Sequence, residues 1–178
     1  MVIRRPRFNI YLLLCLTLTA LTGCQTGESK RKQQLATVRI HLESNVEMAG
    51  LTEVVSVSRA APMAVNIIKT PFMNESMLAS ASLIEDHGGF SLKLEFNSFG
   101  RTILEQYSGT YQGQRLAIRS QFGVEPDAVD RWLAAPRIPR RIKDGVLIFT
   151  PDATRAEAEQ IVLGLNNHAE KSGEKMKP

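Results

Sequence analysis

The 178-residue chain has few of the residue types from which disulfides and metal sites are built. It contains two cysteines and three histidines. Cys15 and Cys24 both lie near the start of the chain, so the residues after them hold no disulfide. His41, His87 and His168 have neither cysteine partners nor the His-x-x-x-His spacing of a metal site. We therefore expect no metal and no cofactor.

Sequence patterns of catalysis are also missing. The chain has no G-x-S-x-G elbow, phosphate-binding glycine loop or dinucleotide fingerprint. Its neighbouring carboxylates, such as Asp127 and Asp130, lie in segments that read as turns, which leaves glycosidase chemistry unsupported. We predict no catalytic residue and expect that the chain is not an enzyme. A deep pocket with converging polar side chains would revive that class.

An export signal occupies the N-terminus. Arg4, Arg5 and Arg7 form a basic start, and an apolar run follows from Ile10 to Leu21. This layout, ending in small residues, is typical of a secretory signal over residues 1–23. The run is shorter than the about 20 residues that cross a bilayer.

The end of this signal is more specific. Leu21, Thr22, Gly23 and Cys24 resemble a bacterial lipobox, in which the cysteine thiol carries acyl chains such as palmitate and becomes the first residue. Several acyl chains, at about 0.8 kcal/mol per buried methylene, give a lasting membrane anchor. The alternative is a signal anchor with an incidental cysteine. Because Gln25 follows, we expect a periplasm-facing envelope lipoprotein, on the outer rather than the inner membrane.

Export also changes the charge. Without the three signal arginines, 19 of the 22 basic side chains remain, against 18 acidic ones. A nearly neutral exported protein is not expected to bind nucleic acid. Residues 24–34 are polar and aperiodic, which predicts a flexible lipidated tether. Its Lys30, Arg31 and Lys32 belong to a solvated linker or touch anionic headgroups.

Residues 35–168 read as one α+β domain, with a frayed tail over 169–178. Apolar and polar residues alternate from Phe90 to Phe96, as in a strand with one wet face. Val146 to Phe149 is a continuous apolar run and predicts a buried strand. Other strands are predicted at Thr37–Glu43, Glu53–Arg59, Met63–Lys69, Ser80–Glu85 and Leu116–Ile118, with a short strand or turn at Trp132–Ala135. By parity, His41 should face solvent.

Two stretches have helical spacing. After Asn97 or Ser98 as a cap, the apolar stripe comprises Phe99, Ile103, Leu104, Tyr107 and Tyr111. Thr154 and Glu157 form a capping box before a helix whose buried face comprises Ala158, Ile161, Val162 and Leu165. We expect a single, mostly antiparallel sheet with these two main helices packed on one face.

Two groups of residues are candidates for binding. One is the proline-stiffened loop that carries Arg137, Arg140, Arg141 and Lys143, which suits anionic lipid or an acidic partner but also reads as a solvated loop. The other comprises apolar residues near loops: Phe122, Trp132, Leu133 and Met48 or Met73. Such residues bind extended polypeptide when exposed, yet most of them should belong to the core.

An ordered series of short motifs resembles the head part of the large periplasmic domain of SecD, the accessory subunit of the bacterial preprotein translocase. It covers Asn74 to Asn167. The matching pieces are Phe90–Phe96, Gly100, Gly113–Ile118, Ala135-Pro136, Ile142–Gly145 and Thr154–Ala158. The resemblance implies a module that holds emerging preprotein segments or moves against its base.

The match stops after Ile118, where Arg119 to Gly123 replaces the Leu-Asp-Gly of the family. The chain also has no counterpart of the translocase's transmembrane bundle, so a complete SecD function is not implied. Our hypothesis is a membrane-anchored, non-catalytic binding module for translocated or unfolded polypeptide. The alternative is a structural or assembly partner of a fixed envelope complex.

Overall fold

A computed structural model describes residues 34–86, 88–124 and 126–175. The lipobox residues Leu21, Thr22, Gly23 and Cys24 lie outside these ranges, as does His87, which the sequence places in an exposed turn. Within the described part, no helix combines the length and the apolar character needed to cross a membrane.

Nine strands and two α-helices make up the described chain. The strands are β1 Thr37–Leu42, β2 Thr52–Val57, β3 Met63–Ile68, β4 Met73–Asn74, β5 Leu78–Asp86, β6 Gly89–Phe96, β7 Leu116–Phe122, β8 Val129–Ala134 and β9 Val146–Phe149. The helices are α1 Ser98–Thr110 and α2 Arg155–Lys175, and a single 3-10 turn spans Glu75–Met77.

The α+β class with antiparallel pairing is confirmed, but the strands form three sheets where the sequence predicts one. Their orders are β4-β1-β7-β8, β2-β3 and β5-β6-β9, and every pairing is antiparallel. The β2–β3 hairpin packs over the four-stranded sheet, burying Val57, Val65 and Ile67 against Ala117 and Ala135. Because these two alanines are small, a second layer fits on this face.

The prediction that His41 faces solvent is wrong, because the β2–β3 hairpin covers its side of β1. His41 is buried, and its Nδ1 lies 2.9 Å from the carbonyl oxygen of Ile68, the last residue of β3. The imidazole and the Trp132 ring pack edge to face, with 5.1 Å between their centroids. Strand parity identifies the face on which a side chain lies, but only the tertiary fold decides whether that face is wet.

Both helix starts follow the sequence pattern. Asn97 caps α1, accepting a hydrogen bond from the Gly100 amide at 2.9 Å. The capping box of α2 is confirmed, since the Thr154 amide donates to Glu157 Oε2 at 2.7 Å and the Glu157 amide donates to Thr154 Oγ1 at 3.3 Å. Helix α2 then continues to Lys175, through residues for which the sequence predicts fraying.

One member of the predicted α1 stripe points outward. Phe99 is 61% exposed, whereas Leu104 and Ser108 are buried. Gly100 lies so close to Met77 that a Cβ built on it would be 2.9 Å from the Met77 carbonyl oxygen. The helix therefore approaches its neighbour through Gly100, which turns Phe99 away from the core.

Candidate functional site

The basic connection between β8 and β9 begins as an extension of β8. Pro136 O accepts the Leu116 amide at 2.9 Å, and the Ile138 amide donates to Gln114 O at 2.8 Å. Ile138 O in turn accepts the Gly113 amide at 2.9 Å. Residues 136–138 thus continue the antiparallel ladder beside Leu116 and the residues just before β7. Pro136 accepts one ladder bond there but has no N–H with which to return one.

The second half of the connection is fixed to α1. The Ile142 amide donates to the buried hydroxyl of Ser108 at 2.8 Å, and Arg141 Nη2 lies 2.8 Å from Glu105 Oε1. At the end, Asp144 Oδ1 accepts the Val146 amide at 3.1 Å and so closes the turn into β9. The connection is therefore fixed by hydrogen bonds to the residues beside β7 and to α1.

Between this connection and β9 lies a groove of about 640 Å³. Its lining includes three buried apolar side chains, Leu116, Ile138 and Leu147. The four predicted cations line it as well and all are exposed: Arg137, Arg140, Arg141 and Lys143. The structure thus brings the whole predicted basic set to one groove with an apolar floor.

One wall of the groove is the open edge of β9. In the described part of the chain β9 pairs only with β6. Because the Phe96 amide donates to Gly145 O, ladder alternation aims the backbone groups of Leu147 and Phe149 at β6 and those of Val146 and Ile148 at the groove. Within the described residues, no hydrogen bond satisfies the N–H or C=O of Ile148.

The prediction that the whole of β9 is buried is half right. Leu147 and Phe149 are buried, but the Ile148 side chain is 53% exposed. A run of four apolar residues predicts a strand without showing whether it is central or at an edge. The open edge of β9 is thus the part of the candidate site that the sequence does not predict, and no local signal marks it.

The opposite wall belongs to a different sheet. Residues 136–138, the extension of β8, form this wall. Farther along, outside the groove lining, Leu133 O accepts the Asp152 amide at 2.7 Å, where the free edge of β8 meets the segment after β9. The same alternation aims the backbone groups of Ala135 and Arg137 away from β7. Arg115 Nη1 donates to Ala135 O at 3.0 Å and satisfies one of them. Two strand edges from separate sheets therefore border the groove.

The charges around the groove are unevenly paired. Arg137 donates to Gly113 O at 2.8 Å, and Arg141 is held by Glu105. Arg140 and Lys143 have no ion pair or hydrogen bond among the residues that the structure describes. Asp144 is the single acidic residue in the lining. The rim is therefore positive, with two cations available to a ligand.

The apolar candidates do not join this groove. Phe122 is only 2% exposed and packs beneath the Arg131 guanidinium, 5.4 Å from its ring. Leu133 and Met73 are core residues. Trp132 is half-buried beside His41, with the Arg119 guanidinium 5.7 Å from its ring. Of the set, Met48 alone is exposed, in the loop before β2.

Among the described residues, the largest cluster of charged side chains lies away from the groove and joins several elements. Both Arg131 terminal nitrogens donate to the Glu157 carboxylate, at 3.0 and 2.8 Å. Arg59 lies 3.8 Å from the same carboxylate and 3.2 Å from Asp152. The hydrogen bonds from Arg131, with one from the Thr154 amide, lower the pKa of Glu157 to about 2. The cluster joins β8 to the start of α2 and to the segment after β2.

The groove offers recognition groups rather than reactive ones. The described residues that line it include no histidine, cysteine or serine, and its polar groups are cations, Asp144 and backbone amides. Across the described residues, no group of three His, Cys, Asp or Glu is placed to hold a metal ion. The arrangement suits hydrogen bonding to an extended backbone and attraction of negative charge.

No protein-family model and no curated protein sequence matches the chain. Solved structures do match. One is a membrane component, SecDF, that enhances protein export, with a TM-score of 0.54 and 18% identity over 83% of this chain and 71% of the other. A second, SecDF in a super-membrane-facing form, gives 0.54 and 19% over 82% of this chain but 21% of its own length. At these identities the likeness shows a shared fold, SecD-like as the sequence motifs predict.

Proposed function

We propose that the chain is a lipid-anchored protein of the cell envelope whose domain, residues 35–168, binds extended segments of translocated or unfolded polypeptide without catalysing a reaction. The observation that carries this proposal is the groove beside β9, where the C=O of Val146 and both backbone groups of Ile148 lie open above an apolar floor. Backbone groups bind an extended chain with little regard to its sequence, as a module for many clients requires.

The shared fold supports the same role. The protein whose structure matches over most of both chains enhances protein export. A domain of this fold on a membrane tether would meet polypeptide as it emerges on the far side of the membrane. The proposed tether, residues 24–34, leaves the groove free to turn toward such segments.

Site-specific crosslinking tests the proposal. A photoreactive amino acid replaces Pro139, which is exposed in the groove lining, in the full chain purified in detergent. The matched control carries the same group at Lys69, an exposed position outside the groove. We expect a permanently unfolded, carboxymethylated client protein to crosslink at position 139 and not at 69. Equal labelling at both positions, or none at either, contradicts the proposal.

The lipid anchor is tested separately. Replacing the Cys24 thiol (C24A) should abolish incorporation of labelled palmitate and leave the signal uncleaved. C15A removes the other cysteine and should be labelled and processed normally. If C24A still takes up label, Cys24 is not the lipid site.

A second candidate function rests on another surface. Val46, Met48, Leu51 and Val54 are exposed apolar residues in β2 and the loop before it, and we call them the hairpin surface. Exposed apolar residues close together suit a permanent protein partner, as in a fixed envelope complex. A protein that co-purifies at defined stoichiometry, and that is lost in a L51S/V54T variant, would favour this role over transient client binding.

A further inference from the structure

We infer that the groove takes an acidic, extended peptide segment, which adds as a strand to the open edge of β9. This inference rests on the proposed function and specifies how, and with which clients, binding occurs.

The backbone groups define the binding mode. The Val146 amide is already bonded to Asp144, so the edge of β9 presents Val146 C=O together with the N–H and C=O of Ile148. A donor flanked by two acceptors on one strand is the pattern that an added antiparallel strand pairs with. Across the groove, the N–H of Arg137 is aimed away from β7. A bound segment would therefore lie between edges of two sheets.

Charge selects the occupant. Arg140 and Lys143 are exposed at the rim and, among the described residues, unpaired, whereas Arg137 and Arg141 are bonded to Gly113 and Glu105. Two available cations against one lining carboxylate favour acidic side chains on the bound segment. The chain's own tether is a poor occupant, because Lys30, Arg31 and Lys32 would be repelled.

A different role for the same cations is protection. Charged residues and prolines beside an open strand edge prevent edge-to-edge association. In that case the groove takes no peptide, and removing the cations makes the protein self-associate. The two roles predict opposite results with a peptide probe.

The probe is a fluorescent ten-residue peptide of alternating valine and glutamate, titrated by anisotropy into the full chain in detergent. Two matched peptides vary one property each: lysine replaces glutamate, or alternate backbone nitrogens are methylated. We expect the acidic peptide to bind at least about tenfold more tightly than either. On binding, hydrogen exchange at the Ile148 amide should slow by at least about tenfold, because that amide becomes bonded.

Variants test separately the two parts of the inference, strand addition to β9 and selection by charge. I148P removes the edge donor without touching the β6 ladder, since that amide faces the groove, and I148T is its control with the donor kept. R140E/K143E reverses the two available charges, and K69E/K171E makes the same change in charge at exposed sites outside the groove. I148P and R140E/K143E should each weaken the acidic peptide about tenfold, while both controls stay within about twofold.

The outcomes separate the inference from the proposed function. If all peptides bind alike, and I148P and R140E/K143E bind as the unaltered chain does, polypeptide binding stands and the inference is overturned. If no peptide binds and R140E/K143E self-associates, the rim protects an edge and both proposals fail. Binding to phosphatidylglycerol mixed micelles without peptide binding, lost in R140E/K143E, assigns the rim to lipid and also overturns the inference.

Discussion

Replacing Glu157 by glutamine should remove a large and pH-dependent part of the domain's stability. The Glu157 carboxylate accepts from both terminal nitrogens of Arg131 and from the Thr154 amide, and it lies near Arg59. A neutral amide keeps the shape but cannot accept all of these hydrogen bonds as a charged group. One substitution thus loosens β8, the start of α2 and the segment after β2 together.

The magnitude follows from the carboxyl's pKa. Its pKa falls from 4.5 to about 2, and each pKa unit is worth about 1.4 kcal/mol, so the upper limit is about 3 kcal/mol. The Glu157 side chain is 23% exposed, and water weakens the pairing, so we expect E157Q to lower the free energy of unfolding by about 2 kcal/mol at pH 7.

The pH dependence has a definite sign. Because the folded pKa is lowered, the contribution is fully present above pH 4.5 and is lost as the pH falls through about 2. At pH 3 less than half of it should remain, so the unaltered chain and E157Q should converge in stability on acidification.

Urea unfolding between pH 3 and 7.5, followed by the fluorescence of the single tryptophan, Trp132, measures the difference. The control is E159Q, which removes an exposed carboxylate paired with Arg155 one helical turn away. It should cost about 0.5 kcal/mol or less. A difference for E157Q that does not change with pH, or a cost no larger than that of E159Q, would refute the reasoning.

Two further predictions concern buried positions. Burial lowers the pKa of His41 below 6.5, so the folded protein resists protonation of this imidazole, and the free energy of unfolding should fall as the pH drops below 6.5. In H41Q this pH dependence, measured by urea unfolding, should be reduced by the His41 contribution; an unchanged dependence contradicts the prediction. G164A should lower the free energy of unfolding by at least about 2 kcal/mol, because its Cβ would lie 2.5 Å from the Ala36 amide nitrogen. G109A should raise it by up to about 1 kcal/mol, because the nearest neighbour of its Cβ is the flexible Arg141 side chain at 3.3 Å. Thermal unfolding ranks the pair, and equal melting temperatures would show that the close approach at Gly164 is not rigid.

Local sequence patterns predict most of the secondary structure. The period-2 run from Phe90 to Phe96 is β6, the asparagine cap begins α1 and the Thr154 capping box begins α2. Each of these signals lies within a few neighbouring residues, where hydrogen-bond geometry and side-chain direction act directly. The helical stripe failed at Phe99, since a contact with Met77, distant in sequence, sets the orientation of α1.

Longer-range arrangement was beyond these patterns. The sequence predicts the positions of most strands. Their division into three sheets depends on which faces stack, as at Ala117 beneath the β2–β3 hairpin. The same stacking buried His41, which parity placed in solvent. Phe122 shows the converse, a loop-side aromatic that became core because β7 extends to it.

The candidate groove, too, is only partly predictable from the sequence. The chain alone specified a cluster of cations at Arg137, Arg140, Arg141 and Lys143 in a loop that prolines keep from being helical. The ion pair of Arg141 with α1, and the open edge at Ile148 on the strand that pairs with β6, depend on contacts that are remote along the chain. Composition and local spacing determine which charges and strands exist, because they act between neighbours; only packing decides which charges stay unpaired and which strand edge stays open.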